Sequence, residues 1–471
     1  MMFRRSAFII TLFLLVSGIA IFSSCRKKDK VDTDPSLSLN FSTDTVFFDT
    51  VFTTVGSVTK RLMVYNHNSN KLSISSISLA GGNTSNFKLN IDGRSSSSVS
   101  DVEIPAGDSL FIFIQVTVDP NNQNTPLIIS DSLKFVTNGN RQDVKLVAWG
   151  QDAHFYKNVN LEGSVTWDSL KPHVIYGYLR VDTGADLTIM PGTKIYFHKN
   201  SGLYVSSQST LKVIGLLGQE VRFLGDRLDP FYRDLPGQWD GIYLERGSKE
   251  NDINYAIIKN GAFGIAVDSL GTGSNPVLKV NNTIIKNVNS YGIFAWDTYI
   301  TSENCVIGDC GGSSIGIFAG GSYDFKQLTV GNYWANSVRF SPSVYISNWD
   351  SDTLGNTFVY PLTKAYFGNS ILYGSSDEEI ALDSNSANPQ PFNASFEYCL
   401  LKTKLSSGHF SNCLKNKDPF FKNIMTYDYQ LDSIISPAVN RGIPMGVFFD
   451  ILGKSRDATP DLGAYEYVPT H

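Results

Sequence analysis

Leu203-Tyr-Val-Ser-Ser-Gln-Ser-Thr-Leu-Lys-Val-Ile-Gly-Leu-Leu-Gly-Gln-Glu-Val-Arg-Phe223 decides the fold, because the stretch before it has the same rhythm. Leu179-Arg-Val181 recurs as Leu203-Tyr-Val205 and Leu187-Thr-Ile189 as Leu211-Lys-Val213, both after 24 residues. Ile195-Tyr-Phe197 recurs as Val221-Arg-Phe223 after 26. Three short apolar–polar–apolar runs per repeat, at a period in the twenties, describe one three-sided coil of a solenoid whose strands stack in parallel. A leucine-rich repeat would need helical segments and a Leu/Asn consensus that are missing, and helical periodicity is absent throughout.

The register continues downstream. Gly241-Ile-Tyr-Leu, Gly264-Ile-Ala-Val, Gly292-Ile-Phe-Ala and Gly316-Ile-Phe-Ala read as successive coil starts. Each coil adds a run ending in a polar turn residue: Ile258-Lys-Asn260, Ile285-Lys-Asn287, Ile307-Gly-Asp309 and Val330-Gly-Asn332. Such a column of amides can hydrogen-bond from coil to coil, which is a structural role. In this register Cys305 aligns with Thr283 and Ser370, and Cys399 lies some coils on. We therefore expect Cys305, Cys310, Cys399 and Cys413 to be mostly unpaired, with Cys305–Cys310 the local pair to test.

Pro191-Gly-Thr-Lys-Ile-Tyr-Phe, Leu211-Lys-Val-Ile-Gly, Gly237-Gln-Trp-Asp-Gly-Ile and Asn369-Ser-Ile-Leu-Tyr-Gly resemble the right-handed parallel β-helix repeat lipoproteins of Bacteroidetes type. The ending, Ser436-Pro-Ala-Val-Asn-Arg-Gly and Asp461-Leu-Gly-Ala-Tyr-Glu-Tyr, resembles the C-terminal signature of choice-of-anchor β-helix proteins. The resemblance covers about 152–467 and implies the fold. It places a cap at 418–467 over the open end of the solenoid, where strand edges would otherwise be bare.

Residues 39–151 keep a different rhythm. About seven short alternating runs, among them Thr45-Val-Phe-Phe-Asp, Leu72-Ser-Ile-Ser and Leu110-Phe-Ile-Phe-Ile-Gln-Val, predict an antiparallel immunoglobulin-like β-sandwich, with polar Arg94–Ser100 as a loop. Val55-Gly, the Asn66 turn, Ile104-Pro-Ala-Gly-Asp-Ser and Leu146-Val-Ala-Trp-Gly resemble domains of the ASPM/SPD-2/hydin type, which are scaffolds. The sandwich offers no converging titratable groups and reads as a spacer.

Residues 1–24 carry Arg4 and Arg5, then the apolar stretch Phe8–Phe22, too short to span a bilayer and of signal-peptide length. The junction Phe22-Ser-Ser-Cys25 resembles a bacterial lipoprotein box, which implies lipidation of Cys25 and an outer-membrane lipoprotein on the periplasmic or the cell-surface side. Residues 25–38 are then a lipid-anchored linker, and Arg26, Lys27, Lys28 and Lys30 would face headgroups. The net charge of −5 gives no basic field for nucleic acid.

Aligned coil starts point Leu179, Leu203, Ile242, Ile265, Ile293, Ile317 and Ile380 inward. Arg180, Tyr204, Tyr243, Ala266, Phe294, Phe318 and Ala381 then point outward. Asp182, Ser206, Glu245, Asp268, Trp296, Gly320 and Asp383 follow at the corner. Tyr204, Tyr243, Phe294, Trp296 and Phe318 form an aromatic stripe beside the carboxylates Glu245 and Asp268, the arrangement a glycan-binding groove needs; such a ladder can also simply stabilise the stack. The reading is a non-catalytic carbohydrate-binding or adhesive protein of the cell envelope. The alternatives are a polysaccharide lyase or glycoside hydrolase in the same groove, with Glu245 and Asp268 as the candidate catalytic pair, and a structural envelope protein. No metal cluster or cofactor motif is present; only a lyase would call for calcium. Two inserts, 225–240 and 333–366, either line or cover this face. Replacing Cys25 with Ala should move the protein from the membrane fraction to the soluble one, and retention on the membrane would contradict lipidation.

Overall fold

The computed structural model describes residues 30–53, 56–119, 127–268, 275–406, 408–432 and 435–467. The leader, Cys25 and the basic residues 26–28 lie outside the described residues, as does Val55. The chain divides after Asp152 into two compact units, both all-β.

The first unit is a sandwich of two five-stranded sheets. The inward residues of both, among them Leu62, Val64, Ile74, Ile77, Ile112, Ile114, Leu133 and Leu146, are buried and form one core. Asn138 and Gly139 both take positive φ, the geometry of a tight hairpin, and join Leu127–Thr137 to Asn140–Gln151. Buried Asn66 donates to the carbonyls of Asn70, Ile104 and Pro105, tying two loops together. Two expectations change. The sandwich is not wholly antiparallel, because Thr45–Phe52 runs parallel to Asn140–Gln151 along the sheet edge. Arg94–Ser100 is also not a loop. Arg94–Ser95 and Ser98–Ile104 are strands, the second placing Val99, Val102 and Ile104 in the core.

The second unit is a right-handed parallel β-helix whose coils form one 26-stranded sheet. Eight successive parallel pairings along the first face join nine coils, from Val159–Leu161 to Ile380–Asp383. Inward residues repeat in kind: Leu179, Leu203, Ile242, Ile265, Ile293, Ile315, Val344 and Ile380 stack on the first face. On the second, Phe325, Phe367, Phe396 and Phe410 form an internal ring ladder with centroids 5.1, 4.9 and 5.2 Å apart. The corner between the second and third faces is one left-handed residue per coil: Tyr255, Asn282, Asn304, Gln327, Asn369, Tyr398 and Asn412. After glycine, Asn tolerates that conformation best, and Asn304 donates to the side chain of Asn282 in the coil below at 3.2 Å.

The register corrects the alignment at one coil. Ile315, not Ile317, stacks on Ile293, so Gly316 follows Phe294, and Phe318 follows Trp296 at the corner. A slip of two residues preserves inward and outward facing, and Gly316-Ile-Phe-Ala imitates Gly292-Ile-Phe-Ala closely. The chain recovers its register beyond the corner, where Ala319 and Gly320, both at positive φ, stand opposite Asp297 alone.

All four described cysteines are free thiols. Leu328 and Ser370 separate Cys305 from Cys399 in their column, as expected. Cys305–Cys310 is not the close pair. Because Leu400 pairs with Leu414, Cys399 and Cys413 occupy the same position of adjacent coils, and their thiols interact directly.

The C-terminal region, expected as an end cap, runs back along the flank of the solenoid. Ala464 N–H donates to Thr329 Oγ1 at 2.8 Å, Gly463 N–H to the Asn369 carbonyl at 2.7 Å, and Asn304 Nδ2 to the Phe449 carbonyl at 2.8 Å. The reason is the outward column of the third face, where Ile257, Ile284, Val306, Thr329, Ile371, Leu400 and Leu414 stack. That column is apolar and needs a cover, which Tyr429, Leu431, Ala438, Ile451, Leu462, Ala464 and Tyr465 supply. At Gly463, φ is +91° and a Cβ would lie 2.5 Å from Thr329 Oγ1, so only glycine passes there.

The column Asn260, Asn287, Asp309 and Asn332 is buried, with an Asp in third place, and its amides donate to carbonyls of the 225–240 insert and of Gly312 rather than to one another. Burial pushes Asp309 up to about 7, against the opposing hydrogen bond from Tyr429 Oη and the charge of Lys286. Its folded pKa lies above the unfolded value of ~3.9, so the stability it contributes is fully present below ~4 and is lost as pH rises through about 7. Asp309→Asn completes the amide column and should raise the melting temperature by an amount that grows between ~pH 4 and about pH 7 and then levels off. An unchanged difference between pH 5 and pH 9 would contradict this assignment.

Candidate functional site

Outward positions of the first face form columns along the helix axis. In register they read Arg180, Tyr204, Tyr243, Ala266, Phe294, Gly316, Tyr345 and Ala381. The corner column beside them continues from Glu245 through Asp268, Trp296, Phe318 and Ser347 to Asp383. The aromatic side chains of both columns are half-buried, with their remaining surface open to solvent.

The rings fall into two groups. Tyr204 and Tyr243 lie 6.1 Å apart, and Phe263 meets Tyr243 edge-on at 6.2 Å. After a level occupied by small, buried Ala266, a larger group begins. Phe294 stacks on Trp296 at 6.5 Å and on Phe318 at 4.9 Å, Phe318 reaches Tyr345 at 5.2 Å, and Tyr291 sets its edge against Phe294 and Phe318. Gly316 permits this packing, since a Cβ there would lie 2.8 Å from the Phe318 ring and 2.9 Å from that of Tyr291. All five sequence-predicted aromatics are thus on one face. Phe318 is in the corner column rather than the one assigned, which brings it against Phe294 instead of past it. Tyr345, Phe263 and Tyr291 belong to the face too. Tyr345 went unassigned because its coil lies inside the 333–366 insert, and Phe263 and Tyr291 because they precede the coil-start strands.

Glu245 and Asp268 occupy the same position of adjacent coils, as expected. Glu245 is engaged: Arg180 Nη1 lies 2.5 and 2.6 Å from its two oxygens, and Ser206 Oγ donates at 3.2 Å. The same guanidinium rests 5.3 Å from the Tyr204 ring centroid. A general acid must be free to give its proton to a leaving group, and a carboxylate held by a charge-assisted pair is not placed for that. Burial, reinforced by the Asp268 and Glu245 charges, raises the Tyr243 phenol. Burial, with Asp383 accepting from the hydroxyl, pushes Tyr345 up to about 12. Both phenols therefore present O–H groups at ordinary pH. Among the described residues no group of three or more His, Cys, Asp or Glu side chains is placed to hold a metal ion.

The two inserts play different parts. Residues 225–240 fold over the amide column: Asn260 donates to the carbonyls of Arg233 and Leu235, and Asn287 to that of Asp234. Trp239 is buried and stacks on Phe197 at 4.1 Å, so this insert covers a corner. Only Asp240 at its end meets the aromatic face, accepting from Tyr204 Oη at 3.3 Å. The second insert lines the face. It supplies Tyr345, and its hairpin Trp349–Ser351/Thr357–Val359 packs beside the strand that bears Phe318, with Trp349 Nε1 donating to Asp383 at 3.1 Å.

No protein-family model and no curated protein sequence matches the chain. Among solved structures it is similar to the catalytic unit of the thermostable GH87 alpha-1,3-glucanase from Streptomyces thermodiastaticus strain HF3-3. That match has 10% identity over 76% of this chain and 88% of that one, with a TM-score of 0.29. It is also similar to the ASH/PapD-like domain 7 of human CEP192, at 9% identity over 28% of this chain and 98% of that one, with a TM-score of 0.19. A family 123 glycoside hydrolase from Clostridium perfringens matches 24% of this chain at 8% identity and a TM-score of 0.18, and the chain spans 27% of that protein's length. Likenesses at these scores carry nothing about activity, and the fold rests on the strand pairings themselves.

The loop that leads into the Tyr345 coil is fixed by a buried ion pair. Arg339 Nη2 lies 2.6 Å from Glu379 Oε1, with side chains 2% and 0% exposed, and Ser343 and Ser376 add hydrogen bonds to the same carboxylate. Removing one partner strands the other without its counter-charge, so Arg339→Ala should cost roughly 3–5 kcal/mol. Thermal unfolding and protease cleavage within 335–342 check this; a variant as stable and as resistant as the parent would contradict it.

Proposed function

We propose that the protein is an exported, lipid-anchored β-helix lipoprotein of the outer membrane that binds carbohydrate at the cell envelope without cleaving it. The sandwich acts as its spacer. The observation that carries the binding reading is the pair of half-exposed ring groups, aligned on one face over neighbouring coils of a rigid stack. Flat aromatic faces cover the apolar side of a sugar ring, while phenol and carboxylate groups at their edges exchange hydrogen bonds with its hydroxyls. Glu245 and Asp268 serve as polar anchors. The adjacent levels of these two carboxylates support one alternative, a glycoside hydrolase in the same groove, but the engagement of Glu245 by Arg180 favours binding alone.

A glycan array on the chain from Asp32 onward tests both. Tyr243→Ala and Trp296→Ala should each weaken binding about tenfold, the loss of ~1–2 kcal/mol expected of a central aromatic contact. Product analysis on the bound glycan should show no cleavage. Hydrolysis abolished by Glu245→Gln would select the glycosidase, and absence of binding to any glycan would leave a structural role.

A further inference from the structure

We propose that this face takes an uncharged polysaccharide laid along the helix axis and rejects polyuronates and sulfated glycans, an inference that rests on the carbohydrate-binding reading. The rings set the direction of the chain. Tyr204 and Tyr345 stand five coil steps apart, ~24 Å at the ~4.8 Å spacing of parallel strands, whereas one strand of this face is only three or four residues wide. A ligand that touches both ring groups therefore crosses the strands and runs down the stack. The Ala266 level makes a step between the groups.

The charges set the class of sugar. Asp182, Glu245, Asp268 and Asp383 recur down the corner column, with Asp240 and Asp297 beside it. Among the described residues, Arg180 and Arg246 act on them. Arg180 is taken up by Glu245 and the Tyr204 ring. Arg246 is exposed and acts on Asp297. A polyuronate or sulfated chain along this path would set its anions against these carboxylates, adjacent at Glu245 and Asp268, while Arg180 is already paired and Arg246 lies beside Asp297. Uncharged sugars bring instead what such a surface lacks, hydroxyl donors for carboxylate oxygens and C–H faces for rings.

The test compares binding of the full chain to soluble uncharged glycans (laminarin, dextran, mannan and xyloglucan) with binding to polygalacturonate, alginate and chondroitin sulfate at low and high ionic strength. We expect at least one uncharged glycan to bind with an affinity nearly independent of salt. The three anionic polymers should bind about tenfold more weakly or not at all at low ionic strength, where repulsion is least screened. Asp182→Lys, which reverses the charge at one end of the column, should strengthen polygalacturonate binding at low ionic strength. Polygalacturonate, alginate or chondroitin sulfate binding as tightly as the best uncharged glycan would overturn the charge selection while leaving carbohydrate binding in place. Failure of every glycan in both groups would overturn the carbohydrate-binding reading and this inference with it.

Discussion

In-register stacking of parallel strands at ~4.8 Å is the constraint from which the rest of this solenoid follows. A residue in one coil sits directly on its counterpart in the next, so side chains are selected as columns rather than singly. Leu179 to Ile380 make one apolar column, Phe325 to Phe410 another, and Tyr255 to Asn412 a column of left-handed corners. A charged or oversized residue in an inward column would meet neighbours on both sides. That is why Asp309, the one acid in a buried amide column, stands out as a titrating group.

The three faces spend their outward positions differently. On the first, aromatic rings remain half in water and are steadied by neighbours: Gly316 makes room, Asp383 anchors Tyr345 and Trp349, and the Arg339–Glu379 pair holds the incoming loop. On the third, the outward column is as apolar as the inward one and is buried by the chain's own C-terminal region. The contrast supports a surface role for the first face, because the sequence had a covering segment to hand and placed it elsewhere.

Much of this was legible in the sequence. The 24-residue recurrences fixed the coils, and the polar residues closing the third runs marked a real corner. Repeats that resemble themselves at two offsets defeat such reading, which is why Phe318 was assigned to the column beside its own: Ile315 and Ile317 both face inward, and only the pairing of the whole coil distinguishes them. The packing of the C-terminal region along the flank was not foreseen, although a signal for it existed. Ile257-Ile258, Ile284-Ile285, Val306-Ile307, Ile371-Leu372 and Leu400-Leu401 are doubled apolar pairs, the mark of strands buried on both faces. The Arg180–Glu245 pair spans coils with an insert between them and leaves no periodic trace.

The flanking C-terminal region changes what kind of object this solenoid is. A stack of coils that touch only their neighbours unfolds piecemeal and can grow as its chain emerges. Here Asn304 bonds to Phe449 and to Arg456, contacts 145 and 152 residues apart in sequence, and Tyr429 reaches Asp309 across 120. Coils in the middle of the stack thus await the last fifty or so residues before their third face is shut. A partly emerged chain can wind its coils yet still shows a strip of isoleucine and leucine to the surroundings, a ready site for a holding chaperone. Completion is deferred until residues 418–467 arrive, and the wrapped solenoid should then unravel as a block rather than coil by coil.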